Sequence, residues 1–230
     1  MSADPRRLEG NGAGLVREIA LAERVKQGLG RLYRLGALPH VGEFATAAGA
    51  EEREAVFVRG DEDDLEIELR VPRLPGASVD LESAALDPLC QIIEGVSHFV
   101  YLAARVERRR ATTQLELELQ AEVDKYVVLA HSLPSYTTRA SARLRERLFH
   151  GVTFCHGPAT VEGERYRVAN DAAHRFAERL ERTYADERYD PGDPGDRNAF
   201  GAGGRLVAMR RELLAFFEMG QEEKLRASRP

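Results

Sequence analysis

The chain has 230 residues, of which 43% are hydrophobic and 31% charged, with a formal net charge of -5. This is the composition of a globular protein, long enough to bury roughly 70% of the surface its unfolded chain exposes. The acidic balance argues against a dedicated nucleic-acid binder, and no apolar run approaches the roughly 18 residues of a membrane-spanning helix.

Residues 1–13 carry charge but no apolar stretch, so they read as a disordered N-terminus rather than a signal peptide. With no export signal, the expectation is a cytoplasmic protein whose two cysteines, Cys90 and Cys155, stay reduced. From 14 to 34, Leu15, Ile19, Ala22, Val25, Leu29, Leu32 and Tyr33 recur at helical spacing. Pro39 and its flanking glycines break that helix, and 43–52 reads as a short helical turn. Two alternating stretches, EAVFVRG and LEIELRVP, flank the acidic run Asp61–Asp64 and predict a β-hairpin at about 54–72. The acidic run lacks the alternating ligands of a calcium loop and reads as a solvated turn. A lone hairpin is marginal in water, so its apolar face must find a partner.

Helices follow at about 87–108 (Asp87 as N-cap, Pro88 in the first turn), 113–132, 137–149 and 162–184. A Gly/Pro/Asp-rich stretch, 186–204, reads as a linker or loop, and a final helix covers about 205–226 within a C-terminal segment 205–230. The expected fold is mainly α: a helical bundle of about five to six helices with one small β-hairpin near the N-terminus. Its helical domain spans 14–185.

The helices around 87–132 carry the most information. The first is apolar over most of its circumference, leaving a strip of Gln91, Glu94, His98, Tyr101 and Arg105. The second carries a ridge of Glu118, Glu122 and Lys125 between apolar faces, with Gln120, Asp124 and His131 on the expected solvent side. If a turn near Arg110 closes the two into an antiparallel hairpin, His98 comes level with Glu122 and the strips face each other. Such a network has several readings. Paired buried ions fix helix register. One His with carboxylates Glu94, Glu118 and Glu122 also suits a single divalent metal, although the paired Glu-x-x-His motif of di-metal bundles is absent. His98 with Glu122 as orienting partner suits acid-base catalysis, and Arg105 with Lys125 suits a small anion.

No motif names a reaction. The glycine clusters at 10–14 and 201–205 do not follow strands and do not match a phosphate loop. Cys155 and His156 are adjacent, but neighbours in sequence usually point apart, which favours an inert loop thiol. Asn170, on the inner face of its helix, is expected to satisfy a backbone group. The leading expectation is therefore a non-enzymatic binding, adaptor or regulatory protein that takes a protein partner or a second copy of itself. The last helix, with Leu213, Phe216 and Phe217 on one side, suits helix-in-groove docking. The basic segment with Arg139, Arg143, Arg145 and Arg147 reads first as a solvated, Arg-rich helix face and otherwise as a surface for nucleic acid or an acidic partner, and Arg105 with Arg108–Arg110 adds a second basic cluster at the hairpin tip. The alternative is a metal-binding or acid-base enzyme centred on Glu94, His98, Glu118 and Glu122.

Overall fold

A computed structural model of the protein describes residues 14–49, 56–59, 66–75, 86–133, 136–185 and 203–229. The expected disordered N-terminus, the acidic turn at 61–64 and linker residues 186–202 lie outside the described residues. The chain packs as two compact units, residues 1–110 and 111–230.

The first unit contains α1 (Val16–Leu32), a 3-10 turn (Val41–Glu43), β1 (Ala45–Ala47), β2 (Val56–Arg59), β3 (Glu66–Val71) and α2 (Leu86–Glu107). The predicted hairpin is present: β2 runs antiparallel to β3, with Val56 opposite Leu69 and Arg59 opposite Glu66. It gains a third strand, because β1 pairs parallel to β3 on its other edge, giving the order β1-β3-β2. The helical turn expected at 43–52 is therefore corrected to a strand at its start. Alanine favours helix locally, but Thr46 Oγ1 donates to Glu68 Oε1 across the ladder at 2.9 Å. The Phe44 ring also packs 5.3 Å from that of Phe99. Leu69 and Val71 are fully buried, and both β3 and α1 pack on α2.

Two charged residues of α1 tie down the loop that follows it. Lys26 Nζ donates to Pro39 O at 2.8 Å and pairs with Glu23 at 2.8 Å. Glu23 in turn accepts the Val41 N–H at 3.2 Å. Burial alone would raise the Glu23 carboxyl, but the bonds from Lys26, Val41 and Gln27 hold it below its ordinary value. α1 and α2 end alike. Arg34 (φ 54°) and Arg109 (φ 51°) take the left-handed conformation, and the next residues return N–H bonds of 2.9 Å to Gly30 O and Arg105 O. That is the helix-terminating geometry usually given to glycine; in an arginine it costs about 1 kcal/mol, offset by the satisfied carbonyls.

The second unit is helical: α3 (Gln114–His131), α4 (Thr138–Phe149), α5 (Val161–Tyr184), α6 (Gly203–Glu218) and α7 (Gln221–Ala227). Threonine opens three of these helices. Thr113, Thr137 and Thr160 each accept the backbone N–H three residues on, at 3.1, 3.2 and 3.0 Å, which satisfies one orphan donor per helix. The single last helix expected at 205–226 is two, because Gly220 breaks it and caps α7. α3 and α4 pack on α5, α6 on α5, and α7 on α3. Mainly helical architecture with one small sheet is thus the observed class, with seven α-helices among the described residues. None of those helices is long and apolar enough to cross a membrane.

Candidate functional site

The predicted site residues divide between the units. In the first unit, Glu94 and His98 stand one turn apart on α2, both half-buried among apolar neighbours. Arg105 is buried, donating to the Tyr101 hydroxyl with its guanidinium 4.7 Å from that ring centre. It is therefore a packed side chain rather than a surface contact. In the second unit, Glu118 is buried on α3 with Arg165 of α5 at 3.9 Å, and Glu122 pairs with Lys125 at 2.8 Å.

The expected solvent side of α3 needs correction. His131 is exposed, but Gln120 and Asp124 are both completely buried. Gln120 Nε2 donates to Asp124 Oδ1 at 3.0 Å, and its Oε1 accepts from Lys224 Nζ at 2.5 Å. Lys224 comes from α7, is itself 0% exposed, and also donates to Phe216 O at 2.7 Å and lies over the Phe216 ring. Polar groups on every side of α3 suggest one wet face, but a neighbouring helix supplies the partners that make their burial tolerable.

The side of the C-terminal helix expected to seize a partner is also interior. Leu213, Phe216 and Phe217 are buried, with Phe216 4.1 Å from Phe176 of α5. Arg179 binds Glu212 at 2.6 Å, and Tyr184 donates to the other Glu212 oxygen at 2.8 Å. Burial and that carboxylate push the Tyr184 hydroxyl up to about 12.

An ionisable cluster in the second unit joins α3, α4 and α5 and is not legible in the sequence of any one helix. Arg145 Nε donates to Glu181 Oε2 at 3.0 Å, and its Nη1 lies 2.5 Å from His174 Nε2. Tyr126 donates to Glu181 Oε1 at 3.2 Å and meets the Tyr136 hydroxyl at 2.8 Å. Proton roles follow from the chemistry of each group. The single hydroxyl proton of Tyr126 goes to Glu181, so Tyr136 donates to Tyr126. Arginine only donates, so His174 Nε2 accepts and the ring proton sits on Nδ1. Burial drives Glu181 above its ordinary carboxylate value, with Arg145 and Tyr126 pulling it back. Burial likewise pushes both tyrosine hydroxyls up.

The sequence does carry a signal for it. Arg145 lies between Ser141, Leu144, Leu148 and Phe149, the buried stripe of α4. A charge in the middle of an apolar stripe implies a buried partner. Read only as a member of a basic run, it looked solvated.

The rest of that basic run is on the surface. Arg139, Arg143 and Arg147 are exposed at spacings of four, with Glu146 the one acidic residue of the helix. Elsewhere in the second unit, Cys155 is exposed, while His156 stacks on Tyr166 with ring planes 6° apart. The adjacent thiol and imidazole are thus engaged differently. Asn170 donates to Phe149 O at 3.1 Å, as its inward position implied. No known protein-family model matches the chain, and neither a curated protein nor a solved structure shows a significant match to it.

Proposed function

We propose that the chain is a non-enzymatic cytoplasmic binding protein that docks an acidic protein segment on the arginine face of α4. The carrying observation is the exposed row Arg139, Arg143, Arg147. α4 has four Arg against one Glu, a local charge of +3 within a chain of -5. Arg139 sits in the first turn, where the helix's own partial positive charge disfavours a cation. Folding stability does not account for a charge in that position, whereas an anionic partner does. The planar guanidinium also suits bidentate carboxylate recognition.

Titrating the protein with fluorescently labelled poly-glutamate at low salt tests this. Saturable, salt-sensitive binding is expected. The triple variant R139E/R143E/R147E weakens it by about ten- to a hundredfold, at up to about 1 kcal/mol per exposed charge pair. Absence of binding, or an unaffected triple variant, overturns the reading. Tighter binding of a single-stranded oligonucleotide of equal charge reassigns the face to nucleic acid.

A divalent cation is the second reading, favoured by the Glu94/His98 pair. A carboxylate and an imidazole at i and i+4 on a largely apolar helix offer two ligands on one ridge. Elemental analysis of the purified full chain decides it. Stoichiometric iron, manganese or zinc, lost in His98→Ala, supports the metal reading and with it an enzymatic role. A chain that takes up none of the three on dialysis ends it.

A further inference from the structure

The cluster behind the arginine face contains an acceptor that an acid solution removes. His174 Nε2 accepts from Arg145 Nη1 at 2.5 Å. Arg145 is the inward-facing arginine of α4, and its other bond goes to Glu181 of α5. The His174 ring also lies 4.8 Å from the His150 ring, at the C-terminal end of α4, and meets Phe149 edge-on. His150 is exposed and bonded to Glu146 at 2.7 Å. Two histidines and an arginine therefore converge where the end of α4 meets α5.

We propose that His174 is a proton-operated latch: neutral, it holds Arg145 and the C-terminal half of α4 against α5; protonated, it releases them. An imidazolium has no lone pair for Arg145 and places a second cation beside its guanidinium. The groups facing it are Arg145 and Glu146 from α4, His150 just beyond it, and Glu178 and Glu181 from α5. Tyr126 and Tyr136 are reached through Glu181. Burial, then Arg145, then His150 hold His174 below its ordinary value of 6.5, outweighing Glu178 and Glu146. A base depressed in the folded state binds fewer protons there than when unfolded. Its stabilising contribution is therefore present above about 6.5 and declines as the pH falls toward the folded value. Glu181, raised above its ordinary 4.5 by burial, acts in the opposite sense. The latch also rests on the proposed function in one respect: loosening α4 alters the backing of Arg139, Arg143 and Arg147 and so tunes acidic-partner capture by pH.

Amide exchange of the full chain between pH 7.5 and 5.5, corrected for intrinsic rates, reads the latch directly and needs no partner. Protection of α4 amides is expected to fall at least about tenfold more than that of α6, the factor carried by one hydrogen bond to a charged group. In His174→Gln the amide oxygen still accepts from Arg145 but cannot be protonated, so the excess fall disappears. A variant with the same pH response as the parent overturns the latch. On the unmodified protein, the imidazole 15N shifts supply a second reading. A bare Nε2 at pH 7.5 that becomes protonated in step with α4 loosening supports the latch, and an Nε2-protonated ring at pH 7.5 overturns it. Because exchange and shifts are measured without poly-glutamate, failure of the latch leaves the arginine-face reading intact, and the converse holds.

Discussion

Arg145→Met is expected to destabilise the second unit by about 3–4 kcal/mol, the usual cost of removing one partner from a buried ion pair. The Glu181 side chain is only 5% exposed and that of Arg145 13%. Once the guanidinium is gone, the carboxylate retains the Tyr126 hydroxyl at 3.2 Å as a donor. Burial already disfavours the charged form of Glu181, so the variant has to bury a poorly compensated anion or take up a proton. His174 Nε2 loses its donor in the same substitution. Urea denaturation at pH 7 measures the effect as a lower midpoint with an unchanged slope. The double variant R145M/E181L removes both charges and is expected to recover most of the loss, because replacing a buried pair by apolar groups of similar size is often neutral. A loss below about 1 kcal/mol in the single variant is the value of a solvated surface pair and contradicts the buried clamp described above.

Lys224→Ala is the second large effect, at about 3 kcal/mol. Truncation deletes three methylenes and the ammonium from a fully buried site, opening a cavity, and leaves Gln120 Oε1 and Phe216 O without that donor. Lys224→Met separates these contributions. It keeps most of the hydrocarbon stem, so its cost of about 1–3 kcal/mol reports the lost donor alone. Thermal unfolding compares the two variants. If K224M is as stable as the parent, the Gln120–Lys224 link is not what docks α7. If K224A costs less than about 1 kcal/mol, the residue is not buried as described. α7 has other ties to this unit: Gln221 N donates to Glu116 Oε1 at 2.7 Å, and Arg175 donates to Ser228 O at 3.1 Å. The expected consequence of losing Lys224 is therefore a weaker unit rather than a freely detached end.

Both predictions concern residues whose importance was not apparent in the sequence. Arg145 was counted in a basic run, Glu181 was not singled out, and Gln120 and Asp124 were assigned to solvent. Each belongs to an interaction between residues far apart in the chain: Arg145 with Glu181 spans 36 positions, and Gln120 with Lys224 spans 104. Helical periodicity states which face of one helix a residue occupies. It does not say which faces are covered when the surrounding helices are as many as those around α3. The three apolar side chains of α6 show the same gap: Leu213, Phe216 and Phe217 were correctly read as one apolar side, but only packing against α5 shows that the side is interior.

Local signals did determine a good deal. Apolar spacing set the helices α1 to α5 to within one or two residues of their observed ends, and Pro and Gly breaks marked where they stop, although Asp87, expected as an N-cap, lies in the first turn of α2. Alternation set the pairing of β2 with β3. These are short-range properties, governed by steric preferences and hydrogen bonds within a few residues. The tertiary structure alone decided that Ala45–Ala47 is a strand, where ladder bonds to β3 outweigh alanine's helical preference. It alone decided that the last helix breaks at Gly220 to bring Lys224 inside, and that one arginine of α4 turns inward while three face water. Those outcomes depend on desolvation, which is settled only when distant segments come together and supply, or withhold, a partner for each polar group.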